Sequence, residues 1–133
     1  MKPMTSAERY REQEFLTAPP GRLLVLTFDA LLTALTRARI GVATGNDELA
    51  QKAVQQARDL LAELAATLDR EKGGEIAKNL GALYVFALGR LHGIPKKGDV
   101  QRFDQIIKLL TPIRDAFNEV ASAPAAAPRA AVA

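Results

Sequence analysis

The chain has 133 residues, 48% of them hydrophobic but only 5% aromatic, with no cysteine and one histidine. That length suits one domain with its own core; the missing cysteines exclude disulfides and thiolate metal sites, and a single histidine excludes the paired histidines of a zinc protease or a di-iron bundle. The net charge of +3 arises from 18 basic and 15 acidic residues that alternate in sign along the chain, so no basic stripe for a nucleic-acid backbone is present and no nucleic-acid partner is expected.

Residues 1–15 are too polar and acidic for a cleavable signal. The longest apolar stretch, Leu23 to Leu35, is broken by Thr27, Asp29 and Thr33 and falls short of the roughly 20 residues of a membrane span. A soluble cytoplasmic protein without membrane insertion is expected.

Helical spacing recurs four times, with no sustained strand-like alternation. Pro20 suits a first helical position, and the first helix runs from about Pro20 to about Ala43, giving out at Gly41 and Gly45. Asn46 and Asp47 offer an N-cap to a second helix, whose Val54, Ala57, Leu61, Leu64 and Leu68 step by three and four and which ends at Lys72-Gly73-Gly74. The third helix places Ile76, Leu80, Leu83, Tyr84, Ala87 and Leu91 on one face and stops at Gly93-Ile94-Pro95. Asp99 caps the fourth, with Phe103, Ile106, Leu110, Ile113, Phe117 and Val120 as its seam and Pro112 bending it near Lys108. Short connections between four helices of this length predict an all-α, antiparallel up-down-up-down four-helix bundle. Residues 1–18 are read as an N-terminal lid segment, 19–121 as the bundle and 122–133 as a flexible Ala/Pro tail.

A bundle helix needs an apolar stripe a little over 100° wide. The first and third helices exceed it. In the first, Leu24, Phe28, Leu31, Leu35 and Val42 make a seam flanked on both sides, by Leu23, Ala30 and Ala34 and by Val25 and Leu32. In the third, Leu80 to Gly89 carries no charge, and Ala82, Val85, Phe86 and Gly89, with Gly81 alongside, are left for the back face. Two explanations stay open: the third helix is central and covered by the N-terminal segment or a second copy, or its small residues open a groove for another protein's amphipathic helix, with residues 1–18, anchored by Tyr10 and Phe15, as a removable cover.

Catalytic signals are weak. His92 sits at the end of the third helix, where a cation gains from the dipole; Gly73-Gly74 lacks the Lys-Ser or Lys-Thr of a phosphate loop; Arg90, Arg102 and Arg114 suit pairing with surface carboxylates. No catalytic residue, metal site or cofactor is expected.

The run Gly73-Gly74-Glu75-Ile76-Ala77-Lys78-Asn79-Leu80-Gly81-Ala82-Leu83-Tyr84-Val85-Phe86, continuing to Arg90-Leu91, resembles the signature of the FliS family of flagellar secretion chaperones. So do Glu63-Leu64 with Leu68-Asp69, Arg114-Asp115-Ala116-Phe117, and Tyr10 followed by Leu16-Thr17-Ala18, Leu23-Leu24 and Phe28-Asp29-Ala30. The chain departs from the family pattern in Pro19-Pro20 for Ser-Pro and Phe117 for tryptophan. The resemblance implies a non-enzymatic cytoplasmic chaperone that binds the disordered C-terminal region of flagellin in a hydrophobic groove, prevents early polymerisation and delivers it to the flagellar type III export gate, with the tyrosine-bearing N-terminal segment covering the groove in its absence. The partner-binding residues expected on this reading are Tyr10, Phe15, Ile76, Asn79, Leu80, Ala82, Leu83, Val85, Phe86 and Gly89, in a monomer or weak dimer. The alternative is a self-associating structural bundle that uses the same apolar face to dimerise.

Overall fold

A computed structural model describes residues 3, 5–7 and 20–122, with the backbone alone at Pro20 and Arg70. Among the described residues there are four long helices, α1 (Pro20–Thr44), α2 (Asp47–Ala66), α3 (Arg70–Arg90) and α4 (Val100–Ser122), a 3-10 turn at Lys97–Asp99, and no strand. Joined in order by short loops, they form the all-α four-helix bundle that the periodicity predicts.

The first turn between helices is built as the sequence suggests. Gly45 takes φ 72°, which lets the Asn46 N–H reach back to the Gly41 carbonyl at 2.8 Å, and the Asn46 side chain then accepts from the Leu49 N–H at 3.1 Å to cap α2. The second turn differs from expectation. α2 stops at Ala66, because Thr67 turns its hydroxyl onto the Leu64 carbonyl at 2.8 Å and Asp69 caps a fresh turn through the N–H groups of Glu71 and Lys72 at 3.2 and 3.0 Å; such local side-chain bonds compete with helix continuation. Leu68 therefore leaves the α2 seam and lies half-buried in the connection. Gly74, at φ 52° and ψ −129°, interrupts α3 after this first turn, a conformation that a Cβ disfavours.

Asp99 also differs from its expected role. Its carboxylate accepts from the Lys96 N–H at 2.7 Å and from the Arg102 guanidinium, closing the 3-10 turn ahead of α4. Burial would raise its pKa, but these bonds and the neighbouring charges outweigh burial and hold it below its usual value.

α1 is the central helix. It packs along both α2 and α4, so Val25, Phe28, Leu31, Ala34, Leu35, Ala38 and Val42 are all buried. A Cβ on Gly41 would stand 2.7 Å from the Ala50 nitrogen, which shows how closely α1 and α2 cross. Arg39 pairs with Asp104 at 2.6 Å and Arg114 with Asp29 at 2.7 Å, tying α4 to α1.

α3 leans on α2 and stands off from α4. Its buried line runs through Ala77, Gly81, Tyr84, Ala87 and Leu91. Ile76, expected inside, is instead 70% exposed, and Gly81, expected outside, is buried. α3 and α4 meet at the C-terminal end of α3, where Arg102 donates to the Arg90 carbonyl at 2.8 Å and Arg90 donates to the Gln105 side-chain oxygen rather than pairing with a carboxylate.

Candidate functional site

Because α3 meets α4 at its C-terminal end and diverges from it toward its N-terminal end, a crevice of about 320 Å³ opens between them. One wall is α3, with Ile76, Ala77, Leu80 and Tyr84; Leu24 of α1, Leu68 of the connection and Phe117 of α4 complete the apolar lining, and Thr67, Asp69 and Lys72 stand at the edge. Phe28 braces the interior, with ring centroids 6.3 Å from Tyr84 and 5.7 Å from Phe117.

Tyr84 is the unusual member of this lining. It is 1% exposed, its hydroxyl makes no hydrogen bond with any described residue, and burial pushes its pKa up to about 12.

The apolar surface continues beyond the crevice on α4. Gln105 faces α3, as its bond to Arg90 shows, and Leu109, Ile113 and Val120 lie within about 80° of it around the helix at 100° per residue. Ile113 is half-buried, while Leu109 and Val120 are exposed, the latter by 75%. The seam of α4 is thus covered at Phe103, Ile106 and Leu110 and opens toward its C-terminal end.

The expected site residues divide into two groups. Ile76 and Leu80 line the crevice, and half-buried Leu83 follows them along α3. Asn79, Ala82, Val85, Phe86 and Gly89 are exposed on the outer side, Val85 by 66% and Phe86 by 55%. Val85 lies about 140° round the helix from Leu80, whereas Phe86 lies about 60° from Leu83, so the apolar residues continue from the crevice round the outer side of α3. Tyr10 and Phe15 lie outside the described residues. Leu24, Leu68, Tyr84 and Phe117 belong to the crevice but were not expected there; Tyr84 and Phe117 read as core because an inward seam and a crevice floor have the same periodicity.

An open apolar crevice in an all-α bundle is suited to binding part of another chain. Among the described residues no three of His, Asp or Glu come together to hold a metal ion, and no helix is long and apolar enough to cross a membrane.

The family described as Flagellar protein FliS matches residues 3–124. The flagellar secretion chaperone FliS of Salmonella typhimurium is 34% identical over 110 residues, covering 82% of each chain. Its namesake in Vibrio cholerae is 25% identical over 109 residues, 82% of this chain and 80% of its own, and that of Escherichia coli K12 is 28% identical over 109, covering 81% and 80%. The chain belongs to the FliS family of flagellar secretion chaperones, a family of chaperones rather than enzymes.

Proposed function

We propose that this protein binds the disordered C-terminal region of flagellin in the cytoplasm, keeps it from polymerising early and delivers it to the flagellar type III export apparatus. The observation that carries the reading is the open apolar crevice beside α3 in a chain of this family. The exposed Val85 and Phe86 extend the apolar surface round the same helix. Ordering a disordered segment costs on the order of 2–5 kcal/mol of the gross interaction energy, so a client that wraps from the crevice round α3 would gain the area that offsets this cost.

Residues 1–18, with Tyr10 and Phe15, act on this reading as a cover that the client displaces. Support comes from the start of α1: the helix begins at Pro20 and Leu24, one turn later, lines the crevice, so the described chain starts beside the surface to be covered.

Calorimetry of the full chain against the C-terminal segment of the host's flagellin tests the reading. Saturable binding is expected, weakened at least tenfold by Ile76→Asp and measurably by Phe86→Asp, with helical circular dichroism unchanged in both. The absence of binding by the wild-type protein would overturn it. Exposed Val85 and Phe86 also suit a second copy of the chain, and a tight dimer in sedimentation that ignores the segment would favour self-association instead.

A further inference from the structure

Resting on the reading above, we infer that the Tyr84 hydroxyl is the polar selector of the crevice, donating a hydrogen bond to an amide oxygen of the docked client segment. The leucine, isoleucine, alanine and phenylalanine side chains of the crevice accept any apolar side chain of suitable size; Thr67, Asp69 and Lys72 are exposed, so the Tyr84 hydroxyl is the buried polar group in the lining, and such a group sets register and choice. Tyr84 is the one tyrosine among the described residues, it is 1% exposed, and its hydroxyl has no partner among them. Buried polar groups are paired in the large majority of cases, so an unpaired one calls for a physical account.

The direction of the side chain supplies that account. On a helix, a long side chain leans back over the turn preceding its own Cα. For Tyr84 that turn carries Leu80, with Ala77 beyond it, which are the residues that wall the crevice. Tyr84 itself is part of the crevice lining, so this lean carries its ring toward the space that an incoming group would fill.

The acceptor is neutral. Among the apolar residues that surround Tyr84 a carboxylate would lose most of its hydration, a far larger cost than for an amide, and Asp69 in the same lining offsets the attraction that Lys72 would offer it. A helix-terminal carbonyl or the side-chain oxygen of an Asn or Gln meets the requirement, next to an apolar residue that fills the rest of the space.

Tyr84→Phe in the full chain removes the hydroxyl and keeps the ring. Its melting temperature is expected to equal or exceed that of the wild type, because the deleted group has no partner among the described residues, while affinity for the flagellin C-terminal segment falls about fivefold to tenfold, the worth of one hydrogen bond. Replacing each Asn and Gln of the segment in turn by Leu identifies the acceptor: a matching loss at one position, absent in Tyr84→Phe, assigns a side-chain amide, and a loss at none assigns a backbone carbonyl. Unchanged affinity in Tyr84→Phe, with Ile76→Asp still defective, would overturn the selector role and leave the crevice as the client site. Tighter binding would mean that the hydroxyl serves the protein's own N-terminal cover, and a lowered melting temperature would mean that it is already satisfied in the free state; either result overturns the inference. If the wild-type protein fails to bind the segment, the functional reading falls and the inference with it.

Discussion

In α1 the apolar residues that exceed one stripe are buried, as Val25 and Ala34 are, or half-buried, as Leu23, Ala30 and Leu32 are, because α2 and α4 pack along two sides of the helix. In α3 the corresponding residues, Val85 and Phe86, stay exposed, because α2 is its main neighbour and α4 meets it chiefly at one end. An apolar surplus in a helix therefore has no fixed meaning. It becomes core where the bundle supplies two neighbours and stays exposed where it supplies one.

The contrast can be broken by matched substitutions. Phe28→Ala in α1 is expected to cost about 3–5 kcal/mol in urea denaturation, since the ring is fully buried between Tyr84 and Phe117. Phe86→Ala makes the same chemical change on the outer side of α3 and is placed last, with the smallest effect.

Tyr84, at the boundary between core and crevice, gives the next largest effect. A free tyrosine titrates near 10 and Tyr84 at about 12, so the folded protein retains a proton that the unfolded chain releases. Stability should be intact below pH 10 and fall as pH rises from 10 to 12, by about 2–3 kcal/mol in all. Tyr84→Phe should flatten this alkaline limb in pH-dependent urea melts; an unchanged slope would show that another group governs it.

The glycines sharpen the comparison further. Gly41→Ala would press a Cβ against the Ala50 backbone at 2.7 Å and should destabilise by about 1–3 kcal/mol through overpacking. Gly89 has open space around it, so Gly89→Ala should stabilise α3 by about 0.5–1 kcal/mol in thermal melts. Phe86→Ala should then change stability by no more than about 0.5 kcal/mol. If it cost as much as Phe28→Ala, the outer side of α3 would be covered in the free protein and the contrast between the helices would vanish.

Helix number, the inward placement of Phe28, Tyr84 and Phe103, and the Asn46 cap were legible in the sequence, because each depends on spacing or on a side chain bonding its own neighbourhood. The failures lie where two local signals compete or where a partner helix decides. Thr67 and Asp69 end α2 before the glycines do, through hydroxyl and carboxylate bonds whose signal in the sequence is weaker than that of paired glycines. The choice between Ile76 and Ala77 for the interior is a rotation of about 100°, and only the position of α3 relative to α2 and α4 fixes it.

The candidate site divides the same way. Apolar surplus in the third helix, and the stretch from Gly73 to Phe86 that resembles the family signature, are properties of the chain alone, and they sufficed to point to a binding protein of the FliS family. That Leu24, Leu68 and Phe117 meet Ile76, Leu80 and Tyr84 around one crevice is not. Those residues come from three helices and a connection, and their convergence depends on α3 diverging from α4. Periodicity determines which side of a helix is apolar; whether that side is filled by a neighbour or left open is decided by the packing of the whole bundle.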